Sequence, residues 1–199
     1  MLFRSRRARA ANTLVYERGM GWMAHTTDGP GLLRDLTVNH GIELENKRVL
    51  ILGAGGATAS VFERLAAGSP DSITLVNRDL ARACALAERF GRMARISVIN
   101  WQALRMESGF DLVINATSLG HQGAAPEIEQ HHFAEGATCY DLNYYKASEP
   151  LRRLCREFKQ PYIDGLGMLV EQAAASFQIW TGKQPDSRVV IDALAKNQA

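Results

Sequence analysis

The glycine-rich stretch at residues 53–57 has the residue types best suited to chemistry in this sequence. It reads Gly-Ala-Gly-Gly-Ala and follows four apolar residues, 49–52, which predict a buried parallel strand. Residues 57–67 have apolar side chains at helical spacing, so the pattern predicts a strand, a tight turn and a helix N-terminus. Bare backbone and the free N–H groups of a first helical turn bind a pyrophosphate. Thr58 stands where the dinucleotide fingerprint usually has Gly or Ala, which leaves an ordinary strand-to-helix turn as the alternative.

Two arginines after the next apolar run indicate which dinucleotide this turn would hold. Residues 72–76 predict a second strand, and Asn77, Arg78 and Arg82 follow it. An NAD-binding fold usually has an acidic residue here that binds the ribose hydroxyls. Two guanidinium groups one helical turn apart instead favour the 2′-phosphate of NADP, through charge-assisted hydrogen bonds. The alternative is a solvated, charged helix start, with Asp79 as an N-terminal helix residue.

Three further places carry polar residues that could serve either a ligand or the fold itself. Residues 115–120 follow an apolar strand, and could border the nicotinamide half of the cofactor or be plain turn chemistry. Asp28 precedes Gly-Pro, and could act at a cleft or be the N-cap of a helix. Gln172 stands among small apolar residues, and could contact a ligand or lie on a helix surface.

The histidines do not indicate a metal site. His121, His131 and His132 lack a matching pattern of carboxylates or cysteines. We therefore interpret them as surface residues and expect no bound metal.

Composition narrows the class of protein. The 199 residues carry a net charge of +2 and 46% hydrophobic residues, which is typical of a soluble globular protein with a sizeable core. Nothing points to nucleic acid, and we find no apolar run of membrane-spanning length and no signal peptide. The three cysteines form no CxxC pair, so we expect a reducing, cytoplasmic environment. The basic cluster of Arg4, Arg6, Arg7 and Arg9 is interpreted as a solvated tail or a truncation artefact.

The elements that must position these residues alternate along the chain. Further strands are predicted at residues 96–99, 110–114, 137–141 and 161–164, with helices between them. This alternation predicts an open α/β sheet whose strand ends line a ligand crevice. Two short strands near residues 12–16 and 21–25 precede a helix that ends near His40, and a terminal helix is predicted at residues 189–196.

Taken in order, the motifs resemble those of the shikimate dehydrogenases. They are Asn12-Thr13, Thr27-Asp28-Gly29, the glycine run at 53–57, Asn77-Arg78, Asn115-Ala116-Thr117-Ser118 and Asp-Gly-Leu-Gly-Met-Leu-Val-Glu-Gln at 164–172. The match runs from about Ala10 to the C-terminus. The resemblance implies an α/β fold with a Rossmann-like, doubly wound parallel sheet. It also implies reversible hydride transfer between NADPH and 3-dehydroshikimate to give shikimate, in aromatic amino acid biosynthesis.

The resemblance also implies roles for individual residues. Asp28 resembles the family's catalytic aspartate, which works with a lysine in proton transfer. The implied substrate-binding residues are Asn12, Asp28, Tyr144 and Gln172. The implied NADP-binding residues are Gly53, Ala54, Gly55, Gly56, Ala57, Asn77, Arg78, Arg82, Thr117, Leu142 and Gly165.

The sequence departs from the family in its N-terminal part. The 199 residues contain neither the Ser-Lys-Ser-Pro type segment nor the Asn-Val-Thr-Val-Pro segment that precedes the catalytic lysine, and Lys47 and Lys146 do not stand in that lysine's context. His25-Thr26 replaces the usual Asp-Asn pair. We therefore expect the C-terminal two-thirds of a shikimate dehydrogenase, inactive by itself.

The expected division has three parts. Residues 1–28 are a non-family tail and a remnant of the N-terminal α/β substrate domain, residues 29–184 form the NADP-binding domain, and residues 185–199 form a C-terminal helix. Apolar surface left exposed beside the remnant would favour a homodimer.

Two alternatives remain open. The first is a non-catalytic NADP-binding module that recruits a partner carrying the other half of the site. The second is a related dehydrogenase of quinate or another substrate, one that could use NAD. Arg78 and Arg82 argue against NAD, while Asn12, Asp28 and Gln172 favour shikimate.

Overall fold

Eight strands form two separate sheets in the computed structural model, which describes residues 8–196. The strands are β1 (Thr13–Glu17), β2 (Gly21–His25), β3 (Arg48–Leu52), β4 (Ser72–Val76), β5 (Ile96–Ile99), β6 (Phe110–Asn115), β7 (Phe133–Asp141) and β8 (Tyr162–Ile163). The larger sheet has the order β5-β4-β3-β6-β7-β8, and all of its pairs are parallel. The order reverses between β3 and β6, which is the doubly wound arrangement, so the predicted fold class is confirmed.

Seven α-helices accompany the strands within residues 8–196. They are α1 (Asp28–Arg34), α2 (Gly56–Ala67), α3 (Leu80–Phe90), α4 (Trp101–Leu104), α5 (Glu149–Glu157), α6 (Leu166–Thr181) and α7 (Ser187–Lys196). The first helix was predicted to continue to about His40, and its last turn is instead a π-helix, Asp35–Asn39. Of all the helices described, none has the length and apolar content needed to cross a bilayer.

The core consists of two apolar layers, one on each face of the larger sheet. Side chains of β3 alternate between the layers, because successive strand residues point to opposite faces. Val49 and Ile51 belong to the layer under α2 and α3, whereas Leu50 and Leu52 belong to the layer that includes α5. All four are at most 1% exposed. Burial on both faces explains why this strand is an uninterrupted apolar run.

The strands β1 and β2 form an antiparallel hairpin that is separate from the larger sheet. The hairpin is tied to α6 by Trp180, whose indole N–H donates to the carbonyl of Leu14 at 3.0 Å. The predicted domain boundaries at residues 28 and 184 stay predictions. Arg4, Arg6 and Arg7 of the predicted basic tail lie outside the described residues.

Helices α1 and α6 cross at two glycines. A Cβ atom on Gly31 would lie 2.7 Å from the backbone nitrogen of Gln172, and one on Gly167 would overlap the carboxylate of Asp35. Asp35 is fully buried, and the Tyr140 hydroxyl donates to its Oδ2 at 2.6 Å. The two helices can therefore approach this closely only because both positions lack a side chain.

A buried carboxylate joins the same helices to α7. Glu171 is 2% exposed and pairs with Arg34 of α1, with Nε at 2.8 Å from its Oε2. Its Oε1 accepts hydrogen bonds from Asn39 at 3.1 Å and from Ser187 at 2.8 Å. One side chain thus connects α1, the π-helix, α6 and the start of α7.

We predict that Gly167→Ala lowers the free energy of unfolding by about 1–3 kcal/mol, the usual cost of overpacking. Alanine favours a helix over glycine by roughly 1 kcal/mol, but the new methyl group would displace the buried Asp35 carboxylate. Urea unfolding measures the change. Gly91→Ala is the matched control, because its Cβ would meet only the Ala87 carbonyl oxygen at 3.5 Å, and φ is −60°. Equal stability of the two variants would contradict the close crossing.

Candidate functional site

The glycine turn after β3 leaves its backbone open to a ligand. Gly53 has φ of +98° and packs against the loop that follows β6, where a Cβ would lie 3.1 Å from the Ala116 carbonyl oxygen. Gly55 is the N-cap of α2 and has no side-chain cap, and a Cβ on Gly55 or Gly56 would meet nothing within 4 Å. The first N–H groups of α2 therefore face open space, which suits an anion.

Thr58 explains why the turn departs from the usual fingerprint. Its side chain is fully buried, and its hydroxyl donates to the carbonyl oxygen of Gly53 at 2.7 Å. The hydroxyl that replaces glycine or alanine at this place therefore braces the turn from inside and leaves the ligand side unchanged.

Asn77 also braces this turn. Its Oδ1 accepts from the Ala54 N–H at 3.2 Å, and its Nδ2 donates to the Asp79 carbonyl oxygen at 2.8 Å. Asp79 caps α3 by accepting from the Arg82 N–H at 3.0 Å, as an N-terminal helix residue should. Asn77 therefore joins the ends of β3 and β4.

Positive charge lies beside the turn. A cavity of about 160 Å³ is bounded by Gly55 and Gly56 together with Arg9, Arg82 and Arg89, and none of the described residues that line it has a carboxylate. Burial, followed by the neighbouring charge of Arg9, lowers the pKa of Arg89. The structure brings Arg82 to this cavity, whereas Arg78 is exposed on the segment between β4 and α3 and is not among its lining residues.

The loops that follow β6, β7 and β8 come together at the same edge of the sheet. Thr117 donates through its N–H and hydroxyl to Asn115 Oδ1, at 3.1 and 2.7 Å. The Leu142 N–H donates to the Asn115 carbonyl oxygen at 2.9 Å. A Cβ on Gly165 would overlap the carbonyl oxygen of Leu142. The three predicted nicotinamide-side residues, Thr117, Leu142 and Gly165, are thus neighbours.

A buried carboxylate lies under these loops. Asp141, the last residue of β7, is fully buried. Burial is the main cause that raises its pKa to about 6, although hydrogen bonds from Asn143, Asn115 and Tyr162 act in the opposite direction. Sequence reasoning missed this residue, because an aspartate at a strand end is also typical of an ordinary turn.

The second half of the site is a cluster of polar side chains that are distant in sequence. Asn12 Nδ2 lies 2.7 Å from Asp28 Oδ1, 3.0 Å from Gln172 Oε1 and 2.9 Å from Thr27 Oγ1. Asn12 Oδ1 accepts from the Thr27 N–H at 3.0 Å. The structure therefore brings together three of the four residues predicted to bind a substrate.

Asp28 is the first residue of α1, and the N-cap position belongs to Thr27. The N-cap alternative for Asp28 is therefore wrong. Its half-buried carboxylate lies in the first turn of the helix. The carboxylate is thus held at the entry of a helix, next to the Asn12 amide.

Ser176 completes the cluster from the α6 side and was missed in the sequence. Its hydroxyl lies 2.7 Å from Thr13 Oγ1 and 3.0 Å from Thr27 Oγ1. Ser176 is four residues after Gln172, so both lie on one face of α6. The four-residue spacing between two polar residues, in a helix rich in small residues, was the sequence signal that could have identified Ser176.

Tyr144 does not lie in this cluster. Its ring packs edge-on against Tyr145, with centroids 5.3 Å apart, and 37% of the residue is exposed. None of the hydrogen bonds described for residues 8–196 joins it to Asn12, Asp28 or Gln172. Its assignment to the substrate stays a prediction.

The histidines divide into two kinds. His121 and His131 are exposed, as expected. His132 is buried, so the prediction of a surface residue is wrong there: its Nδ1 accepts from the Glu129 N–H at 2.8 Å and its Nε2 lies 3.0 Å from the Leu104 carbonyl oxygen. Burial lowers the pKa of His132.

The described part of the chain has no group of three or more His, Cys, Asp or Glu side chains placed to hold a metal ion.

Two family models match the chain. The shikimate / quinate 5-dehydrogenase model matches residues 35–136, and the model of the shikimate 5′-dehydrogenase C-terminal domain matches residues 165–195. The matched ranges contain the glycine turn and the start of α6, respectively.

Individual proteins are similar over nearly the whole chain. The shikimate dehydrogenase (NADP(+)) of Alkalilimnicola ehrlichii is 46% identical over 192 residues, which are 96% of this chain and 70% of that protein. The crystal structure of an Ael1 enzyme from Pseudomonas putida is 42% identical with a TM-score of 0.88, and the match covers 96% of this chain and 70% of that one. Shikimate 5-dehydrogenase from Thermus thermophilus, in complex with NADP(H) and shikimate, is 29% identical with a TM-score of 0.76, covering 98% and 70%.

Proposed function

The chain belongs to the shikimate dehydrogenase family, and we propose that it is the NADP-binding part of an enzyme that interconverts 3-dehydroshikimate and shikimate. The observation that carries this proposal is the cluster of Asn12, Asp28 and Gln172. The cluster lies next to the cofactor half, because Gly29 packs on α2, where its Cβ would lie 3.0 Å from the Ser60 carbonyl oxygen. A polar pocket for a hydroxylated substrate thus adjoins the helix that begins at the glycine turn.

In the proposed chemistry, Asp28 takes part in the transfer of a proton. NADPH supplies the hydride, and the carbonyl oxygen of 3-dehydroshikimate then needs a proton to become a hydroxyl. The Asp28 carboxylate would exchange that proton together with the lysine of the family's N-terminal segment. Asn12 holds one oxygen of this carboxylate at 2.7 Å, and its amide and that of Gln172 are suited to bind substrate hydroxyls.

For the cofactor we propose that residues 53–57 hold the pyrophosphate and that Arg82 binds the 2′-phosphate. The open backbone at Gly55 and Gly56 and the arginine-lined cavity support this placement. Arg78 would add a second charge from the preceding loop. Asn77 contributes by holding the turn through its bond to Ala54.

We predict that Arg82→Gln raises the Kd for NADPH about tenfold or more and leaves the weaker NADH binding within about twofold. A hydrogen bond to a charged group contributes roughly 1.5–3 kcal/mol, and 1.4 kcal/mol is about tenfold in affinity. Titration calorimetry or NADPH fluorescence measures both constants.

Arg105→Gln is the control for this change, because Arg105 is exposed and pairs only loosely with Glu127, at 3.9 Å. It removes the same charge from the surface and should leave both constants unchanged. Equal losses of NADPH and NADH affinity in Arg82→Gln would remove the assignment of the 2′-phosphate.

We predict that the 199-residue chain, purified as it stands, binds NADPH and does not reduce NADP with shikimate. Neither Lys47 nor Lys146 is placed to replace the family's catalytic lysine. Lys47 lies before β3, at the opposite end of the strand from the glycine turn, and pairs with Asp111 at 4.0 Å. Lys146 is exposed next to Tyr145. Absorbance at the NADPH band measures turnover, with binding checked on the same sample.

The same assay separates the alternatives. Turnover with shikimate would show that a residue of this chain replaces the lysine, and turnover with quinate would favour the quinate-dependent relative. Binding without turnover, restored by adding a polypeptide that carries the family's N-terminal segment, would support the two-part enzyme. A chain that binds no NADPH would contradict the proposed function.

We further propose that the isolated chain forms a homodimer through an apolar face on the hairpin and α6. Tyr16, Trp22 and Trp180 are 62%, 72% and 59% exposed on this face, and such contiguous apolar surface favours association. Sedimentation velocity should show a dimer that Trp22→Ser weakens, whereas Met106→Ser, which removes an 88% exposed side chain elsewhere, should not. A monomer at all concentrations would exclude this proposal.

A cytoplasmic location is proposed on the three cysteines, which are free thiols, two of them fully buried. Such thiols persist in a reducing compartment. Cell fractionation tests this location.

A further inference from the structure

The carboxylate of Asp141 is the meeting point of the loops at the carboxyl edge of the sheet. Its Oδ1 accepts from Asn115 Nδ2 at 2.9 Å and from the backbone and side-chain nitrogens of Asn143 at 3.0 and 2.8 Å. Its Oδ2 accepts from the Tyr162 hydroxyl at 3.2 Å. These donors come from β6, from the loop after β7 and from β8.

From these donors the network continues to the residues proposed to border the nicotinamide. Asn115 Oδ1 accepts from the N–H and the hydroxyl of Thr117, and Asn143 Nδ2 donates to the Thr117 carbonyl oxygen at 3.0 Å. The Gly165 N–H donates to the Asn143 carbonyl oxygen at 2.9 Å. Thr117 and Gly165 are thus each hydrogen-bonded to a residue that itself hydrogen-bonds to Asp141.

Within the described part of the chain, no cation forms an ion pair with this carboxylate. All its hydrogen-bond donors are neutral, and none of the ion pairs described for residues 8–196 includes Asp141. Tyr162 of β8 and the Cys139 thiol of β7 are the titratable groups that face it. Arg152 lies with its guanidinium 5.7 Å from the centroid of the Tyr162 ring, and it already pairs with Asp164 at 2.8 Å.

A fully buried charge without a counter-ion is costly. A neutral asparagine at this position would avoid the cost of burying a charge, but it would not accept the same hydrogen bonds. A carboxylate differs from an amide in having only acceptor oxygens, so it alone can accept from two asparagines and a tyrosine at once. In return for the cost of burying its charge, Asp141 fixes the side chains of Asn115 and Asn143 in one orientation.

We propose that Asp141 is a positioning residue for the nicotinamide half of NADPH: through Asn115 and Asn143 it holds Thr117 and Gly165 in the geometry that receives the ring. The inference rests on the proposed function, since it assumes that NADP binds along this edge. Asp141 itself touches no ligand, because it is completely buried beneath the loops.

The test compares two ligands that differ only in the dihydronicotinamide ring, which 2′-phospho-ADP-ribose lacks. NADPH and 2′-phospho-ADP-ribose share the pyrophosphate and the 2′-phosphate, so both report on the glycine turn and Arg82. In Asp141→Asn, the Kd for NADPH should rise about tenfold and that for 2′-phospho-ADP-ribose should stay within about twofold. The fluorescence enhancement of bound NADPH, which reports on the surroundings of the ring, should fall as well.

A pH profile provides a signature that a purely structural role would not produce. The pKa of Asp141 is raised to about 6, so the wild-type preference for NADPH over 2′-phospho-ADP-ribose should decrease as the pH falls through 6 and the carboxylate takes up a proton. The ratio of the two constants cancels the titration of the shared phosphates. Asp141→Asn should show a low preference that does not change over this range.

Tyr162→Phe keeps the proposal testable if Asp141→Asn does not fold. The Tyr162 hydroxyl is shared between Asp141 Oδ2 and the Ser148 carbonyl oxygen, each at 3.2 Å, and its loss leaves the bonds from Asn115 and Asn143. The preference for NADPH should therefore decrease by a smaller factor, about two- to fivefold. Asp111→Asn makes the same change at the opposite end of β6, where the carboxylate accepts from the Arg48 N–H at 2.8 Å, and should leave the preference unchanged.

The outcomes are distinguishable. An unchanged preference for NADPH in a folded Asp141→Asn, or an equal loss of both ligands, would overturn the inference and leave the proposed function intact. A wild-type chain that binds neither ligand would instead refute the proposed function.

Discussion

The crossing of α1 over α6 is the contact on which the cluster of Asn12, Asp28 and Gln172 depends. Gly31 lies against the backbone of Gln172 and Gly167 against the buried Asp35 carboxylate. This approach sets the separation of Asp28, at the start of α1, from Gln172, in the first half of α6. Such a closely packed contact has little freedom to adjust. The Asn12 amide can therefore reach both side chains from the hairpin.

The cofactor half depends on a different constraint, the reversal of strand order between β3 and β6. The chain continues from β3 to β4 on one side and from β6 to β7 on the other, and the crevice at this point exposes backbone groups at the strand ends. Gly53 must pack against Ala116 of the neighbouring loop, so the glycine turn and the loop after β6 are fixed together. Packing of α1 on α2 then places the Asn12 cluster beside this crevice.

Local patterns in the sequence were sufficient for the sheet and for the strand, turn and helix around Gly53. The uninterrupted apolar run before Gly53, the glycines and the arginine at position 82 act over a few residues each, and hydrophobic periodicity records such short-range order. The substrate cluster could not be derived in this way. Asn12 and Gln172 are 160 residues apart, and resemblance to a family, rather than periodicity, brought them together.

Other features could not be predicted because their causes lie in tertiary packing. His132 was predicted to be a surface residue, but the fold buries it beside the Leu104 carbonyl oxygen. The π-helical turn at Asp35–Asn39 places the Asp35 carboxylate against the Tyr140 hydroxyl and under Gly167, and no local propensity favours that turn. Tyr144, assigned by resemblance, lies outside the cluster.

Three buried carboxylates show how the two halves differ in their electrostatics. Glu171 pairs with Arg34 at 2.8 Å, whereas Asp35 accepts from the Tyr140 hydroxyl at 2.6 Å and lies 3.7 Å from His40, which is a cation only when protonated. Asp141 has only neutral donors. Burial raises the pKa of the Asp141 carboxylate to about 6, and a protonated carboxyl group accepts fewer hydrogen bonds than a carboxylate. The loops at the sheet edge are thus held by a charge that depends on the burial and hydration around it, both of which a cofactor bound as proposed would change.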